Sequence, residues 1–446
     1  MVPRFGTDGI RGVANLALTP ELVLALGRAT ARVFAHERVL VGRDPRVSGP
    51  MLQAALSAGL AAEGVSVVDL GVLPTAGIAF ASAELNVPAA VISASHNAFA
   101  DNGVKLFAPG GRKLDDATER RLEAALDVLL GVGRGATAPT GAGVGRLSRD
   151  GDIGERYARH LVAALDGRRL DGLAVVVDCA NGAASQWAPR VLAEVGARLQ
   201  VLSADPNGTN INLGCGSTYP EALAKAVVAT EAAVGLAFDG DADRVLAVDH
   251  TGALVDGDQL LALCALDRRA RGRLVGDGVV VTVMANLGLR RAMAAAGITV
   301  HETSVGDRHV LAALEAGGWS LGGEQSGHIV FTDLATTGDG ILTGLQVLDV
   351  MVRTSRTLAD LAATAMTRLP QVLESVTVIS SPAQVMAAVA SAADAAQTEL
   401  GDAGRVLVRP SGTEPLVRVM VEAVDEARAR ATVERLVAAV EAADRR

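Results

Sequence analysis

The chain has 446 residues, half of them apolar and only 2% aromatic, and its formal net charge is −9. One hydrophobic core rarely serves a chain of this length, so we expect three or four domains. The acidic balance argues against a nucleic-acid partner, which normally selects for a basic surface, but a few local arginines can still bind a phosphorylated small molecule.

No apolar run approaches the ~18 residues that a membrane-spanning helix needs, so we expect no membrane partner. The first residues show no signal-peptide pattern. The three cysteines, Cys179, Cys215 and Cys264, are scattered and lack the spacing of a zinc site. An odd number of isolated cysteines is typical of a reducing compartment, and we expect a cytoplasmic protein.

Short Val-rich runs alternate with Ala- and Leu-rich helical stretches, which is the pattern of α/β folds. Residues 39–42 predict a strand, followed by a helix that begins near Pro50 with Ser48 as a candidate cap. The same order of strand, turn and helix returns at residues 174–183 and 279–288. These similar openings indicate three related α/β domains.

Two breaks interrupt this pattern, at residues 131–145 and 368–370. Beyond the second break, a strand, an Ala-rich helix, a β-hairpin and a closing helix predict a compact α+β unit. We therefore predict four domains, at residues 1–150, 151–251, 252–367 and 368–446.

The first segment that suggests chemistry follows an apolar run and reads Ser93-Ala94-Ser95-His96-Asn97. Loops at the carboxyl ends of parallel strands are where α/β proteins place ligands. Ser95 is a candidate nucleophile, which would need activation or a strongly electrophilic partner, and His96 is a candidate base or phosphate-orienting group. A capping serine and a turn asparagine would explain the same residues without chemistry.

A second segment follows another apolar run and reads Asp239-Gly240-Asp241-Ala242-Asp243-Arg244. Alternate residues of an extended strand lie about 6.5 Å apart, too far for Mg²⁺ ligation at roughly 2.1 Å. We therefore predict that the segment curls into a tight loop, permitted by its glycine, in which the three aspartates bind a divalent cation. A solvated acidic turn is the alternative, whereas an EF-hand lacks its closing glutamate because residue 250 is His250.

A third segment lies between two Val-rich strands and reads Arg409-Pro410-Ser411-Gly412-Thr413, with Arg418 on the second strand. Two guanidinium groups, two hydroxyls and backbone N–H groups around a glycine predict a phosphate cradle. An ordinary hairpin turn is the alternative.

Weaker signals lie elsewhere. Residues 323–328 alternate polar side chains between glycines and suit a polyol such as a sugar, although a polar turn explains them as well. Arg11 lies in a Gly-rich loop that suits an anion. Lys105 could neutralise a phosphate, or act as a base if cationic neighbours depress its pKa, whereas a lone lysine is usually solvated. The polar turn at residues 305–308 could contribute to substrate choice.

In this order, the segments resemble those of the α-D-phosphohexomutase superfamily. Residues 93–97 resemble its phosphoserine loop, residues 239–244 its metal loop, residues 323–328 its sugar-binding loop and residues 409–413 its phosphate-binding loop. Further stretches are similar to the phosphoglucosamine mutases in particular, at residues 4–12, 305–308, 336–340 and 409–421. One departure is Ala98, where the family commonly has proline.

The resemblance implies three related α/β domains with mixed sheets and a C-terminal α+β domain around a central cleft. It implies interconversion of glucosamine 6-phosphate and glucosamine 1-phosphate through a 1,6-bisphosphate, for UDP-N-acetylglucosamine and cell-wall synthesis. Mg²⁺ is the implied metal, and glucosamine 1,6-bisphosphate or glucose 1,6-bisphosphate the implied activator. The resemblance also implies an unidentified partner that first phosphorylates Ser95, and it leaves a homodimer open.

The resemblance assigns roles as well. Ser95 would carry the phosphate, Lys105 would be the general base, and His96 and Arg11 would assist. The metal ligands would be phosphorylated Ser95 and the carboxylates of Asp239, Asp241 and Asp243. The substrate-binding residues would be Arg244, Asp307, Arg308, Glu324, Ser326, His328, Arg409, Ser411, Gly412, Thr413 and Arg418.

Three alternatives stay open. A phosphomannomutase or phosphoglucomutase of the same superfamily fits, because no residue proves contact with an amine. A sugar phosphatase working through phosphoserine would not need a second phosphate cradle. A phosphosugar sensor without activity would tolerate loss of the serine or an aspartate, yet these residues are present.

Overall fold

The computed structural model describes residues 4–6, 8–131, 138–411 and 415–445. The chain divides into two compact units, one of Met1–Met284 with Ile298–Thr364 and the other of Ala285–Gly297 with Ala365–Arg446. The described part of the first unit holds three β-sheets, and that of the second holds one. No described helix is both long and apolar enough to cross a membrane.

The N-terminal part of the chain forms the first sheet, which is mixed. Its strands and helices are β1 (Ile10–Val13), α1 (Pro20–Phe34), β2 (Arg38–Arg43), α2 (Gly49–Ala62), β3 (Ser66–Val72), α3 (Thr75–Leu85), β4 (Ala89–Ile92), β5 (Asp101–Ala108), β6 (Arg112–Lys113), α4 (Asp116–Gly131) and β7 (Leu147–Arg149). The strand order is β1-β5-β4-β2-β3-β7, with β6 paired to β5. Strands β4, β2, β3 and β7 are parallel, whereas β5 is antiparallel to its neighbours.

The first two helices start near a proline and a Ser or Thr, as capping signals predict, but only one of these side chains caps its helix. Helix α1 has Pro20 in its first turn, and the side chain of Thr19 accepts a hydrogen bond from the backbone N–H of Leu22. Helix α2 begins where we predicted it, but the side chain of Ser48 makes no capping bond. Its hydroxyl instead accepts a hydrogen bond from Asn102 at 2.9 Å, so a contact distant in sequence replaces the predicted cap.

The second sheet has a parallel core and an antiparallel edge. Its elements are α5 (Ile153–Ala163), β8 (Ala174–Asp178), α6 (Ala184–Glu194), β9 (Arg198–Leu202), α7 (Glu221–Ala229), β10 (Val234–Phe238), β11 (Val245–Asp249) and β12 (Leu254–Val255). The order is β12-β11-β10-β8-β9. Strands β10, β8 and β9 are parallel. The inner strands β8 and β10 are almost wholly buried, as expected for strands covered on both sides, whereas the edge strand β9 is largely exposed.

The third sheet repeats this plan with four strands. The elements of this stretch are α8 (Gly257–Ala270), β13 (Gly278–Thr282), α9 (Leu287–Ala295), β14 (Thr299–Thr303), α10 (Asp307–Gly317), β15 (Leu321–Gly323), β16 (Ile329–Phe331), α11 (Gly340–Thr354) and α12 (Leu358–Ala365). Helix α9 belongs to the second unit. The order is β14-β13-β15-β16, and only β16 is antiparallel to its neighbour.

One feature recurs in all three sheets: a polar loop connects a parallel strand to the antiparallel strand that follows it. We name these the serine loop (residues 93–100), the carboxylate loop (residues 239–244) and the Glu324 loop (residues 324–328). The residues that flank two of these loops pair across the sheet, as Phe238↔Val245 and Gly323↔Ile329. At the serine loop, Ile92 pairs with Val104, which lies further along β5. The predicted relationship among three α/β domains is therefore confirmed by their shared topology.

The second unit is an α+β structure with an antiparallel sheet. Its remaining elements are β17 (Gln371–Thr377), α13 (Pro382–Leu400), β18 (Arg405–Pro410), β19 (Leu416–Glu422) and α14 (Glu426–Asp444). The strand order is β17-β19-β18, and α13 and α14 pack on the sheet through a Val- and Ala-rich core. The predicted strand, helix, hairpin and closing helix are all present.

Candidate active site

Ser95 lies in the serine loop, and its side chain is completely buried. Its φ of 50° falls in the left-handed region, which residues other than glycine seldom adopt. The hydroxyl donates a hydrogen bond to the carboxylate of Asp239, and Nδ1 of His96 lies 3.5 Å from the same hydroxyl oxygen. The structure therefore brings the predicted nucleophile, its histidine neighbour and the first aspartate of the carboxylate loop together.

The three aspartates of the carboxylate loop converge as predicted. Asp239, Asp241 and Asp243 are buried, and one ligand oxygen from each lies within 4.8 Å of the others. Oδ1 of Asp241 and Oδ1 of Asp243 are buried and accept no hydrogen bond from the described residues. Buried carboxylate oxygens without donors are costly, and a divalent cation with oxygen ligands would satisfy them.

The carboxylate loop turns at a residue other than the predicted one. The left-handed residue is Ala242, with a φ of 58°, whereas Gly240 has no positive φ. Gly240 is required for a different reason, because a Cβ atom there would lie 2.5 Å from the carbonyl oxygen of Ser95. The glycine thus lets the carboxylate loop touch the serine loop, and the curl itself resides at Ala242.

Lys105 is held by the carboxylates. Its Nζ lies 2.8 Å from Oδ2 of Asp241, 3.3 Å from Oδ2 of Asp243 and 3.2 Å from Oδ2 of Asp8. Burial acts to lower the pKa of Lys105, but attraction to Asp241 and Asp243 outweighs it and raises the pKa overall. A lysine base would need a pKa depressed by cationic neighbours, and Lys105 has carboxylate neighbours that raise its pKa instead.

The aspartates themselves differ in pKa. Burial, with repulsion from Asp243 and Asp241, raises the pKa of Asp239 well above its ordinary value. Burial acts in the same direction on Asp241, but Lys105 and the hydroxyl of Thr75, which donates at 2.7 Å, bring its pKa far below the usual range. Thr75 was not predicted, and a lone threonine at a helix start offers no sequence signal for this role.

Asp8 also escaped prediction, although it lies in the same loop as Arg11. Its carboxylate accepts a hydrogen bond from Arg11, faces Lys105 at 3.2 Å and accepts a bond from Lys113 at 3.0 Å. Asp8 therefore contacts three cationic side chains, those of Arg11, Lys105 and Lys113. Its place among glycines next to an arginine was the one available signal.

Lys113 links Asp8 to Asp307, the first residue of α10. Its Nζ donates to both carboxylates. Burial acts to raise the pKa of Asp307, but Lys113 and His328 bring it well below its ordinary value. Nε2 of His328 lies 3.6 Å from Oδ2 of Asp307, and neither nitrogen of this buried ring has a hydrogen-bond partner among the described residues. An imidazole buried in this way is suited to bind a ligand hydroxyl.

The other predicted residues of the first unit divide into two groups. Arg244, with Nε 3.7 Å from Oδ1 of Asp243, lies at the carboxylate cluster. Glu324 accepts a hydrogen bond from the N–H of Gly306 at 3.2 Å, and Ser326 is half-buried in the same loop. Arg308 pairs with the carboxylates of α4 at Glu119 (2.6 Å) and Asp116 (3.1 Å), and it lines the same small cavity as Asp8, Lys105 and Lys113.

The predicted phosphate cradle belongs to the second unit. Arg409 and Arg418 are directly opposed across β18 and β19, and burial followed by repulsion from Arg418 lowers the pKa of Arg409. The N–H of Ser411 donates to the carbonyl of Leu416 at 2.8 Å. Gly412 and Thr413 lie outside the described residues.

Sequence comparison matches four domain models in the order of the chain. The models describe phosphoglucomutase/phosphomannomutase α/β/α domain I at residues 3–128, domain II at residues 155–252, domain III at residues 256–369 and the C-terminal domain at residues 375–439. Together they account for most of the chain.

Individual proteins similar to this chain belong to the same family. Phosphoglucosamine mutase of Mycolicibacterium paratuberculosis is 54% identical over 447 residues, which cover 98% of this chain and 99% of that protein. A phosphoglucomutase/phosphomannomutase family protein of Burkholderia thailandensis is 26% identical, with a TM-score of 0.82 over 99% of this chain and 98% of that chain. N-acetylphosphoglucosamine mutase of Aspergillus fumigatus, solved with GlcNAc-6P and magnesium, shares the fold at 20% identity, with a TM-score of 0.70 over 100% and 96% of the two chains. The chain belongs to the phosphoglucomutase/phosphomannomutase family of enzymes.

Proposed function

We propose that this protein interconverts glucosamine 6-phosphate and glucosamine 1-phosphate, with Ser95 as the carrier of the phosphoryl group. The observation that carries the chemistry is the contact between Ser95 Oγ and Asp239, because it sets a buried hydroxyl among three carboxylates and Lys105. The choice of sugar is supported by the 54% identity to a phosphoglucosamine mutase over nearly the full length of both chains.

The reaction exchanges one phosphate ester for another without loss to water. The P–O bond of phospho-Ser95 breaks and a P–O bond to O1 of glucosamine 6-phosphate forms, while the O1 proton passes to a base and the released Ser95 oxygen takes up a proton. The bisphosphate then turns round, the P–O bond at C6 breaks and a P–O bond to Oγ of Ser95 forms. The proton of the Ser95 hydroxyl passes to the base, and the released oxygen at C6 takes up a proton. Such transfer depends mainly on positioning and charge neutralisation, which buried Lys105 and half-buried Arg11 and Arg244 supply around Ser95. Lys105 is the candidate base, and it must first lose the proton that its carboxylate neighbours stabilise.

Magnesium fits the carboxylate loop by its donor set. Asp239, Asp241 and Asp243 would hold it together with the phosphate on Ser95, and two of their buried oxygens lack a donor among the described residues. A bound Mg²⁺ supplies positive charge that offsets the charge on the transferring phosphoryl group. The fungal relative solved with magnesium supports the same choice of ion. Titration calorimetry should show Mg²⁺ binding that Asp243→Asn weakens, and binding unchanged by that substitution would contradict the assignment.

The phosphate that is not transferred needs a cradle of its own, and we assign it to Arg409 and Arg418 of the second unit. A phosphatase has no such need, so this pair favours a mutase. Glucose 1,6-bisphosphate or glucosamine 1,6-bisphosphate would serve as activator by phosphorylating Ser95. The four domain boundaries, a homodimer and a separate activating partner stay predictions.

A product assay separates these functions. The protein is incubated with glucosamine 6-phosphate, Mg²⁺ and a trace of glucose 1,6-bisphosphate, and both glucosamine 1-phosphate and free phosphate are measured. We expect the 1-phosphate to accumulate and Ser95→Ala to abolish it, whereas free phosphate as the main product would reject the mutase. Parallel reactions with glucose and mannose 6-phosphates decide the sugar, and faster turnover of either would favour the alternative members of the family.

A further inference from the structure

One arginine is completely buried beneath the serine loop. Arg46 lies between β2 and α2, and its side chain and that of its ion-pair partner Asp44 are both 0% exposed, with Nε and Oδ2 2.8 Å apart. Neither residue is in contact with the carboxylate loop in any described hydrogen bond. A buried guanidinium is costly unless its N–H groups are all bonded, so their partners show what it holds in place.

All five N–H groups of Arg46 have an acceptor. Nε donates to Asp44, and the two terminal nitrogens donate to four backbone carbonyls in and just after the serine loop. These acceptors are the carbonyl oxygens of Ser95 (2.8 Å), Asn97 (2.9 Å), Ala98 and Asp101 (3.1 Å). A lysine has three N–H groups on one atom, so it cannot reproduce this planar fork.

The peptide groups of Ser95 are held from both sides. Its N–H donates to Oγ of Ser93 at 2.9 Å, and that hydroxyl in turn donates to Asp44 at 2.6 Å. Its carbonyl accepts from Arg46 and also from Nδ2 of Asn212 at 2.9 Å, which bonds the carbonyl of Asn97 as well. These bonds surround the one residue of the serine loop whose φ is positive, a conformation that the loop would otherwise leave.

We propose that Arg46 is a positioning residue for phosphoryl transfer. It fixes the backbone of Ser95 in the left-handed conformation that directs the hydroxyl toward Asp239, and it does so without touching the substrate. Asn212, in the segment that follows β9, donates to the same carbonyl, and we call Arg46 and Asn212 together the clamp on Ser95. The inference rests on the proposed function of Ser95 as phosphoryl carrier.

The test compares Arg46→Lys with Arg268→Lys. Arg268 is a matched control because it is also buried and bonds a carboxylate, Asp333, and a backbone carbonyl, that of Arg273, within its own part of the fold. We expect Arg46→Lys to lower kcat on the order of 100-fold while KM for glucosamine 6-phosphate stays within about twofold, since a misplaced nucleophile affects the chemical step. Arg268→Lys should change neither constant.

A second variant covers the case in which Arg46→Lys does not fold. Asn212→Gly removes the other half of the clamp and suits the φ of 56° at that position. It should lower kcat about tenfold, and combined with Arg46→Lys it should show less than additive loss, because both side chains hold the same carbonyl. Unchanged kcat in these variants, or equal changes in kcat and KM, would overturn the proposal.

Amide hydrogen exchange of residues 93–101 adds a readout that does not depend on the substrate. Exchange should be faster in Arg46→Lys and unchanged in Arg268→Lys. If the wild-type protein has no mutase activity but the serine loop still exchanges faster in Arg46→Lys, the proposed function is refuted and the clamp is supported. An active wild-type protein with an unchanged loop in Arg46→Lys would refute the clamp alone.

Discussion

Gly240 and Ser95 approach so closely that a Cβ atom on the glycine would lie 2.5 Å from the serine carbonyl oxygen. The contact joins the loop that carries the predicted nucleophile to the loop that carries the predicted metal ligands. Because the obstacle is backbone, neither side can move aside as a flexible side chain would. The close approach of the two loops therefore requires a residue without a side chain at position 240.

Gly240→Ala should separate the two loops and so displace the candidate catalytic side chains without changing any of them chemically. We expect kcat to fall on the order of 100-fold, since displacement of reacting groups by about 1 Å has effects of this size. Mg²⁺ affinity measured by calorimetry should fall as well. Gly151→Ala is the control, because a Cβ at that exposed glycine meets nothing within 4 Å. Equal activity of the two variants would show that the contact has no catalytic consequence.

Asp339 should make stability depend on pH. It caps α11 by accepting the N–H of Leu342 at 2.9 Å and accepts the hydroxyl of Tyr157 at 2.8 Å, and burial raises its pKa to about 6 from an ordinary 3.8. The folded state thus binds the proton more tightly, so this contribution to stability is complete below about pH 4 and is lost as the pH rises through about 6. The loss should amount to about 3 kcal/mol.

Asp339→Asn isolates this effect because asparagine caps helices equally well and does not titrate. In urea unfolding, the unfolding free energy of the variant minus that of the wild type should increase by about 3 kcal/mol between about pH 4 and pH 7. Tyr157→Phe should shift the transition to higher pH, because it removes a donor that favours the ionised carboxylate. An advantage that is constant with pH would contradict the prediction.

Lys113→Met should leave Asp8 and Asp307 without the cation that joins them. We expect unfolding free energy to fall by about 3 kcal/mol near neutral pH, as for other pairs broken on one side. Lys113 lowers the pKa of Asp307, so the stability that the pair supplies is complete above about pH 4, where the unfolded chain is ionised, and is lost as the pH falls toward the lowered pKa. The deficit of the variant should therefore shrink below about pH 4. KM for glucosamine 6-phosphate should rise about tenfold if Asp307 and His328 bind the sugar.

The control is Lys225→Met, which changes an exposed lysine on α7. It should leave both the unfolding free energy and KM unchanged. A Lys113→Met protein that matches this control would show that the contact with Asp307 contributes neither to stability nor to substrate binding.

Arg409→Gln should have opposite effects on stability and on substrate binding. Directly opposed like charges destabilise a sheet, so removing the repulsion from Arg418 should raise the unfolding free energy of the ligand-free protein by up to about 1 kcal/mol. KM should rise about 10- to 100-fold, because a charged hydrogen bond to phosphate is lost. Arg405→Gln on the same strand should instead destabilise, because it breaks the 2.8 Å pair with buried Glu422. Both variants are measured by urea unfolding with and without phosphosugar.

The loops that carry the site could be predicted because each one places several polar residues directly after an apolar run. Ser95 and the three aspartates stand out in this way, and the structure brings them together. The alternation of strands and helices likewise predicted the three related sheets and the C-terminal α+β unit. These features are local in sequence, and local pattern was sufficient for them.

What escaped prediction depends on contacts between distant parts of the chain. Lys113 meets Asp307 across 194 residues, and Arg46 meets Ser95 across 49, so each appears in the sequence as an isolated charge that solvent could accommodate. We considered a pKa of Lys105 depressed by cations, but the pKa is raised, because the neighbours of Lys105 are carboxylates that follow a strand of another sheet. The turn at Ala242 was assigned to glycine, since glycine is the usual left-handed residue.

The paired strand residues beside the three polar loops have a consequence for how the protein can diversify. Because Phe238 and Gly323 pair directly with the first residues of the returning strands, the carboxylate and Glu324 loops leave and re-enter their sheets at neighbouring points. The serine loop re-enters at Asp101, ahead of Val104, which pairs with Ile92. Changes of length or sequence at a loop tip need not disturb strand register. The tips of the three loops can therefore vary in sequence without a change of sheet, provided that the glycines at which the loops touch their neighbours, Gly240 against Ser95 and Gly327 against Val245, are kept.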